Sequence, residues 1–215
     1  MYRCLIFDLD GTIVDSLPGI TKSVNYALES CGLPRHQDDQ SLSWFVGPPL
    51  REGFEGLTKT DDALLIDKLI LAYRQSYRDV ALESGLYPGI AELLVDMSGA
   101  KKLALATSKM TSTAERILRH HKLDHLFGVI VGSDPDGALS SKEESIGRVV
   151  DSIGGAGSDY LFIGDRGADV IGARKNGVDS VGVLYGYGTA REIEDARPRF
   201  VAKTVADLRG ILLAM

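Results

Sequence analysis

Cysteine is scarce in this sequence: it occurs twice, as Cys4 and Cys31, without CxxC spacing. A disulfide framework and a thiolate metal site therefore lack their ligands, and two packed free thiols in a reducing compartment are expected. Long apolar runs are missing as well. "ALLIDKLILAY" at 63–73 is broken by Asp67 and Lys68, and "CLIF" at 4–7 gives way at once to two acids. Neither stretch suits a membrane-spanning helix or the apolar region of a secretory signal. There is no long Lys/Arg tract, and the formal net charge is −6, which opposes contact with a phosphate backbone. G-x-S-x-G, Walker A, H-E-x-x-H and G-x-G-x-x-G are absent, so serine hydrolases, P-loop NTPases, zincins and dinucleotide enzymes lose their main signatures. The expectation is a cytoplasmic chain without nucleic-acid or membrane partners, acting as a monomer or small homo-oligomer.

What is present is an ordinary globular composition, 215 residues with 44% apolar and 25% charged. Short apolar runs at 3–7, 102–107, 128–132, 160–164 and 180–184 read as buried strands. Helical periods lie between most of them, such as Ile90, Leu93, Leu94 and Met97, or Ala114, Ile117, Leu118 and His121. Strands alternating with helices predict an α/β fold with a doubly wound, Rossmann-like parallel sheet. The gap between the first two strands is too long for one crossover helix. Its text is itself helical: Ser16 and Pro18 open a segment with Ile20, Val24, Leu28 and Cys31 on one face, stopped by Gly32, and 62–80 repeats the pattern. An all-helical domain inserted over 16–84 is expected, with the α/β core formed by 1–15 and 85–215. Trp44 and Phe45 read as core of that insert. Gly47, Pro48, Pro49 and Arg51 form a stiff turn suited to reading a leaving group.

In open α/β sheets ligands sit beyond the carboxyl ends of the strands. The first run ends in Asp8-Leu9-Asp10-Gly11-Thr12, the second in Thr107-Ser108-Lys109, and the fourth in Gly164-Asp165, with Asp169 one turn later. Lys142 precedes the fourth run at the start of a helix. Two like charges about 4 Å apart cost roughly 1 kcal/mol in water and roughly 4 kcal/mol at an effective dielectric of 20. Converging carboxylates therefore call for a counter-charge, and oxygen ligands suit a hard cation such as Mg²⁺. Hydroxyls, backbone N–H groups and an ammonium suit a phosphate. Together they describe phosphoryl transfer.

The segments "FDLDGTIVDS", "ATSK", Lys142 and "GDRGADVIGA" resemble, in order, the four motifs of the haloacid dehalogenase superfamily. The insert after the first strand is similar to the helical cap of its phosphoglycolate phosphatase-like branch. "SWFVGPPL", "SSKEES" and "GVLYGYGT" are similar to segments of bacterial members labelled phosphoglycolate phosphatase or 5′-nucleotidase. The resemblance implies a Mg²⁺-dependent phosphomonoesterase acting on a small phosphate ester through an aspartyl-phosphate. It makes Asp8 the nucleophile and Asp10 the general acid–base residue. It assigns Mg²⁺ to the Asp8 side chain, the Asp10 backbone carbonyl and Asp165, with Asp169 in support. Thr107, Ser108 and Lys142 would hold the phosphoryl group. Glu143 departs from the pattern, standing where many relatives have Pro; Lys109 is the nearest rival cation, but its place after Thr107-Ser108 fits the usual second motif, which leaves Lys142 in the phosphate role. The resemblance also implies a cap that moves, hinging near 14–17 and 82–88.

Plainer readings compete at each position. A single acid such as Asp169 is often an N-cap, Thr107-Ser108 alone is helix capping, and an isolated Lys142 is a surface charge. "DPDG" at 134–137 hints at a calcium loop but lacks its closing Glu. His120, His121 and His125 suit solvated or capping roles at a helix end. Other functions kept open are a 5′-nucleotidase, a sugar phosphomutase and a non-hydrolytic phospho-receiver or signalling module.

Overall fold

The computed structural model describes residues 2–36, 40–134 and 141–215. The 134–137 stretch lies largely outside them. The chain divides into two compact units, 1–15 with 86–215 and 16–85. No helix among the described residues is long and apolar enough to cross a membrane.

The larger unit is built on a six-stranded sheet. In chain order the strands are β1 (Cys4–Phe7), β2 (Val14–Asp15), β3 (Gly85–Leu86), β4 (Lys102–Met110), β5 (Phe127–Ser133), β6 (Tyr160–Gly164), β7 (Asp179–Val183) and β8 (Phe200–Ala202). The main sheet has the order β5-β4-β1-β6-β7-β8, with every pairing parallel. β2 and β3 form a separate two-stranded ribbon.

The helices are α1 (Leu17–Ser30), α2 (Leu50–Thr58), α3 (Ala63–Val80), α4 (Ile90–Ser98), α5 (Thr111–His120), α6 (Lys142–Ile153), α7 (Gly167–Lys175), α8 (Ala190–Ala196) and α9 (Val205–Leu213). This is the doubly wound α/β architecture expected from the alternating runs. Parallel strands covered on both faces carry apolar residues continuously, and all four residues of β1 are buried. One face of the sheet packs Cys4, Ile6, Ala104, Ala106, Tyr160 and Phe162 against Ile146 and Val149 of α6 and Ala173 of α7.

The smaller unit is helical. It carries α1 and α3, and between them α2, which the sequence pattern did not mark. Asp62 caps α3, its side chain accepting from the N–H groups of Leu64 at 3.0 Å and Leu65 at 3.4 Å. Its core is aromatic: Phe45 meets Phe54 edge to face at 5.2 Å, Phe54 meets Tyr73 at 6.0 Å, and Tyr73 stacks on Tyr77 at 5.4 Å. Phe45 is core as expected, whereas Trp44 is 40% exposed. A β-carbon at Gly53 would come within 2.7 Å of the Phe45 ring, so only glycine lets α2 approach that ring. Arg51 is ion-paired with Asp67 within the same unit.

β4 runs three residues beyond its expected end. Ser108, Lys109 and Met110 continue the strand, and a register shift separates Ala106 from Met110, which pairs with Ser133. Thr107 is therefore a strand residue rather than a helix cap.

Candidate active site

The sheet order reverses direction between β1 and β6, the position at which open α/β sheets leave a crevice for ligands. Asp8 follows β1 and Asp165 follows β6. Asp8 N–H donates to the Ile163 carbonyl at 2.9 Å, which extends the β1–β6 ladder to the first acid. Asp169 lies at the third position of α7 and reaches back to the Arg166 N–H at 3.0 Å. It is not the N-cap of the plain reading, which is Arg166, but the third residue of the helix, whose side chain accepts the N-cap N–H.

Carboxylate oxygens of Asp8, Asp165 and Asp169 all lie within 4.8 Å of one another. The three are 6%, 0% and 1% exposed. Lys142 enters between two of them, its Nζ 2.8 Å from Asp8 Oδ1 and 3.0 Å from Asp169 Oδ1. It also donates to the Ala106 carbonyl at 3.3 Å. α6 is capped by Ser141, which accepts from the Glu144 N–H, and this start places Lys142 inward. Glu143 faces outward and pairs with Lys175 at 2.6 Å, so the residue that replaces the usual proline has a surface role. Asp10 pairs with the other nearby cation, Lys109 Nζ lying 3.1 Å from Asp10 Oδ2. Thr107 is buried and accepts the Lys109 N–H at 3.3 Å through its hydroxyl, whereas Ser108 is exposed.

Burial shapes the protonation of this group. It pushes the Asp8 carboxyl up to about 6; Lys142 pulls it down and Asp169 adds to the rise. Burial, then the Asp169 and Asp8 charges, raises Asp165 well above the usual carboxylate range. For Lys142 burial favours the neutral amine, but Asp169 and Asp8 outweigh it and hold the ammonium.

The donor set fits a hard divalent cation. Asp165 Oδ1 is buried and has no hydrogen-bond partner among the described residues. Four carboxylates (Asp8, Asp10, Asp165, Asp169) stand with two ammonium groups (Lys109, Lys142), an excess of two negative charges within this set. All the converging ligands are oxygens, the preference of Mg²⁺.

Tyr185, Gly186 and Tyr187, within the segment GVLYGYGT, also reach this group of acids. The Tyr187 N–H donates to Asp165 Oδ2 at 2.7 Å, and the Tyr185 hydroxyl donates to the Thr12 carbonyl at 3.1 Å. The tyrosine–glycine repeat was the available signal, but a main-chain donor leaves no mark on residue type.

A doubly wound sheet with buried aspartates at its switch point defines an α/β enzyme of phosphoryl chemistry. The family model of the haloacid dehalogenase-like hydrolases matches residues 5–183. The chain belongs to that family, and within it to the phosphatase group. It is 39% identical over 98% of its length, and 96% of the relative's, to a 5′-nucleotidase of Pseudomonas aeruginosa. It is 38% identical to the tyrosine-protein kinase PtkA of Mycobacterium tuberculosis, over 98% of this chain and 72% of that one. A phosphoglycolate phosphatase of Mannheimia succiniciproducens is 29% identical over 98% of each chain. Among solved structures, a predicted phosphatase from Clostridium acetobutylicum superposes with a TM-score of 0.93 at 39% identity, covering both chains completely.

Proposed function

We propose that the protein is a Mg²⁺-dependent phosphomonoesterase for a small phosphate ester, working through an aspartyl-phosphate on Asp8. A phosphoglycolate-like ester is the first candidate substrate and a nucleoside 5′-monophosphate the next. The observation that carries this reading is the buried cluster of Asp8, Asp165 and Asp169 joined by Lys142. Hydrolysing an ester needs a nucleophile, a proton donor and compensation of phosphoryl charge, and residues fit for each task stand at this sheet edge.

In the first half-reaction an Asp8 carboxylate oxygen bonds to phosphorus as the ester P–O bond breaks. The departing alkoxide takes a proton from Asp10. In the second, a water oxygen attacks the phosphorus and gives its proton to Asp10. The P–O bond to Asp8 then breaks, restoring the carboxylate and releasing inorganic phosphate. Lys142 orients Asp8 and, with the Thr107 hydroxyl and Ser108 N–H, balances charge on the phosphoryl oxygens. The Asp8 and Asp165 carboxylates and the Asp10 carbonyl would hold Mg²⁺, with Asp169 in support. Bound there, the cation supplies charge neutralisation beside the attacked phosphorus.

The helical unit over 16–85 would act as the cap that chooses among esters, and the free thiols Cys4 and Cys31 suit a reducing cytoplasm. Phosphate release from 2-phosphoglycolate, nucleoside 5′-monophosphates and hexose 1-phosphates, with Asp8→Asn in parallel, tests the reading. One ester should stand out with Mg²⁺, and Asp8→Asn should abolish its turnover. A second reading, phosphoryl transfer to protein, draws support from the kinase relative. It takes precedence if every ester is inert while the protein acquires or passes on phosphate.

A further inference from the structure

The loop after β7, Tyr185 to Gly188, takes no part in the chemistry just described, yet its main chain lies directly against Asp165. Asp165 is fully buried, and its two carboxylate oxygens differ. Oδ2 accepts the Tyr187 N–H at 2.7 Å, while Oδ1 has no hydrogen-bond partner among the described residues. One oxygen is held and the other left to face a ligand.

The loop that holds Oδ2 is itself tied at two points to the chain just beyond Asp8. The Tyr185 hydroxyl donates to the Thr12 carbonyl at 3.1 Å, and the Tyr187 hydroxyl donates to Asp15 Oδ1 at 2.8 Å. The Tyr185 ring also packs on Tyr87, centroids 5.0 Å apart.

Backbone contact completes the clamp. A β-carbon on Gly186 would lie 2.2 Å from the Gly11 carbonyl oxygen, and one on Gly188 would lie 1.9 Å from the Asp165 carbonyl oxygen. From the other side, a β-carbon on Gly11 would meet Asp165 Oδ2 at 2.2 Å. Asp165 is thus gripped between the nucleophile loop and the tyrosine loop, with glycines wherever the two chains close on it.

We propose that Tyr185 and Tyr187 are positioning residues for Asp165, fixing one carboxylate oxygen so that the other is presented to the cation at a set angle. This rests on the Mg²⁺ reading above. The consequence is selectivity: Mg²⁺ demands near-ideal octahedral geometry, whereas Ca²⁺ accepts an irregular shell. Loosening the clamp therefore harms Mg²⁺ binding more than Ca²⁺ binding.

Calorimetric titration of the full-length protein with each metal alone, using wild type, Tyr185→Phe and Tyr187→Phe, tests this. Each variant should bind Mg²⁺ about ten-fold more weakly, the scale of lost outer-shell support. Ca²⁺ affinity should change less than about three-fold, as a tolerant shell allows. Should either variant fail to fold, Asp15→Asn weakens the Tyr187 anchor from the surface end and should show the same bias. Unchanged Mg²⁺ affinity, or equal losses for both metals, overturns the clamp while leaving the phosphatase reading intact. A wild-type protein that binds no Mg²⁺ overturns both.

Discussion

Lys109 Nζ stands 3.1 Å from Asp10 Oδ2, so the residue assigned to proton transfer has an ammonium partner separate from the one that serves the nucleophile. The second pair, Lys142 with Asp8 at 2.8 Å, is the counterpart. Both lysine side chains are 8% exposed, so neither ion pair is a solvent-screened surface contact.

The separation of the two pairs makes a prediction about leaving groups. Lys109→Ala should leave Asp10 without the partner that orients it toward the leaving oxygen and so slow esters with poor alkoxide leaving groups. The expected loss in kcat is about 10²-fold, the lower end of general acid catalysis. p-Nitrophenyl phosphate, whose leaving group departs without a proton, should show a much smaller loss in the first half-reaction, read from its p-nitrophenol burst, while hydrolysis of the aspartyl-phosphate still uses Asp10 as base. Comparing the first half-reaction for the two substrate types in single-turnover kinetics checks this; equal losses would remove Lys109 from the proton-transfer apparatus.

Lys142 should matter for folding as well as for turnover. Lys142→Ala leaves Asp8 and Asp169 buried without their shared cation, a change that costs about 3–5 kcal/mol when one partner of a buried pair is removed. Urea denaturation in EDTA should show that loss, and added Mg²⁺ should recover part of it. A change below about 1 kcal/mol would place Lys142 in the solvated class of ion pairs.

The Asp8 carboxyl, raised from 3.8 to about 6, links stability to pH. Between those values the folded protein keeps a proton that the unfolded chain has released. The contribution of this group to metal-free stability therefore falls as pH rises through that window and stays low above it. Asp8→Asn carries no such charge. In EDTA it should melt higher than wild type at about pH 8, with the difference shrinking toward about pH 4. Mg²⁺ competes with the same proton, so its stabilising effect on the wild type should fade as the medium is acidified. Melting temperatures across that range, with and without the metal, decide the matter.

In the helical unit Phe54 is fully buried between Phe45 and Tyr73. Phe54→Ala should cost about 3–5 kcal/mol through the cavity it leaves. Urea unfolding measures it; a loss under about 1 kcal/mol would mean that the aromatic cluster collapses to fill the space.

The β-strand runs of the core were legible because parallel strands buried on both faces must be apolar throughout, as at Cys4–Phe7 and Tyr160–Gly164. β4 outran its apolar signal since Ser108 and Lys109 are polar while the backbone stays extended to Met110. Phe200–Ala202 is a strand of three residues, too short to carry a period. α2 was hidden by Gly53 and Gly56, which weaken helix propensity but let Phe45 and Trp44 approach. The acids that the structure brings together had strand ends to mark them. Lys142 had none: only the sheet order, which carries α6 past the end of β4, turns a lysine at a helix start into a buried one. The work of Tyr187 is done by its main-chain N–H, and of Gly188 by a missing β-carbon, so neither shows in residue chemistry alone.

The strand that carries Asp8 lies between β4 and β6, bonded on both sides. One neighbour begins at Lys102 and the other at Tyr160. A ribosome makes this strand before either neighbour, at about 5–20 residues per second, and holds it without those partners until Lys102 follows. It then has one open edge until Tyr160 is made. A strand made before its neighbours is thus completed only after both, and Asp8 stays separated from Asp165 until the second of them is made. A nascent chain cut short anywhere before that second neighbour carries Asp8 but cannot form the acid cluster around it.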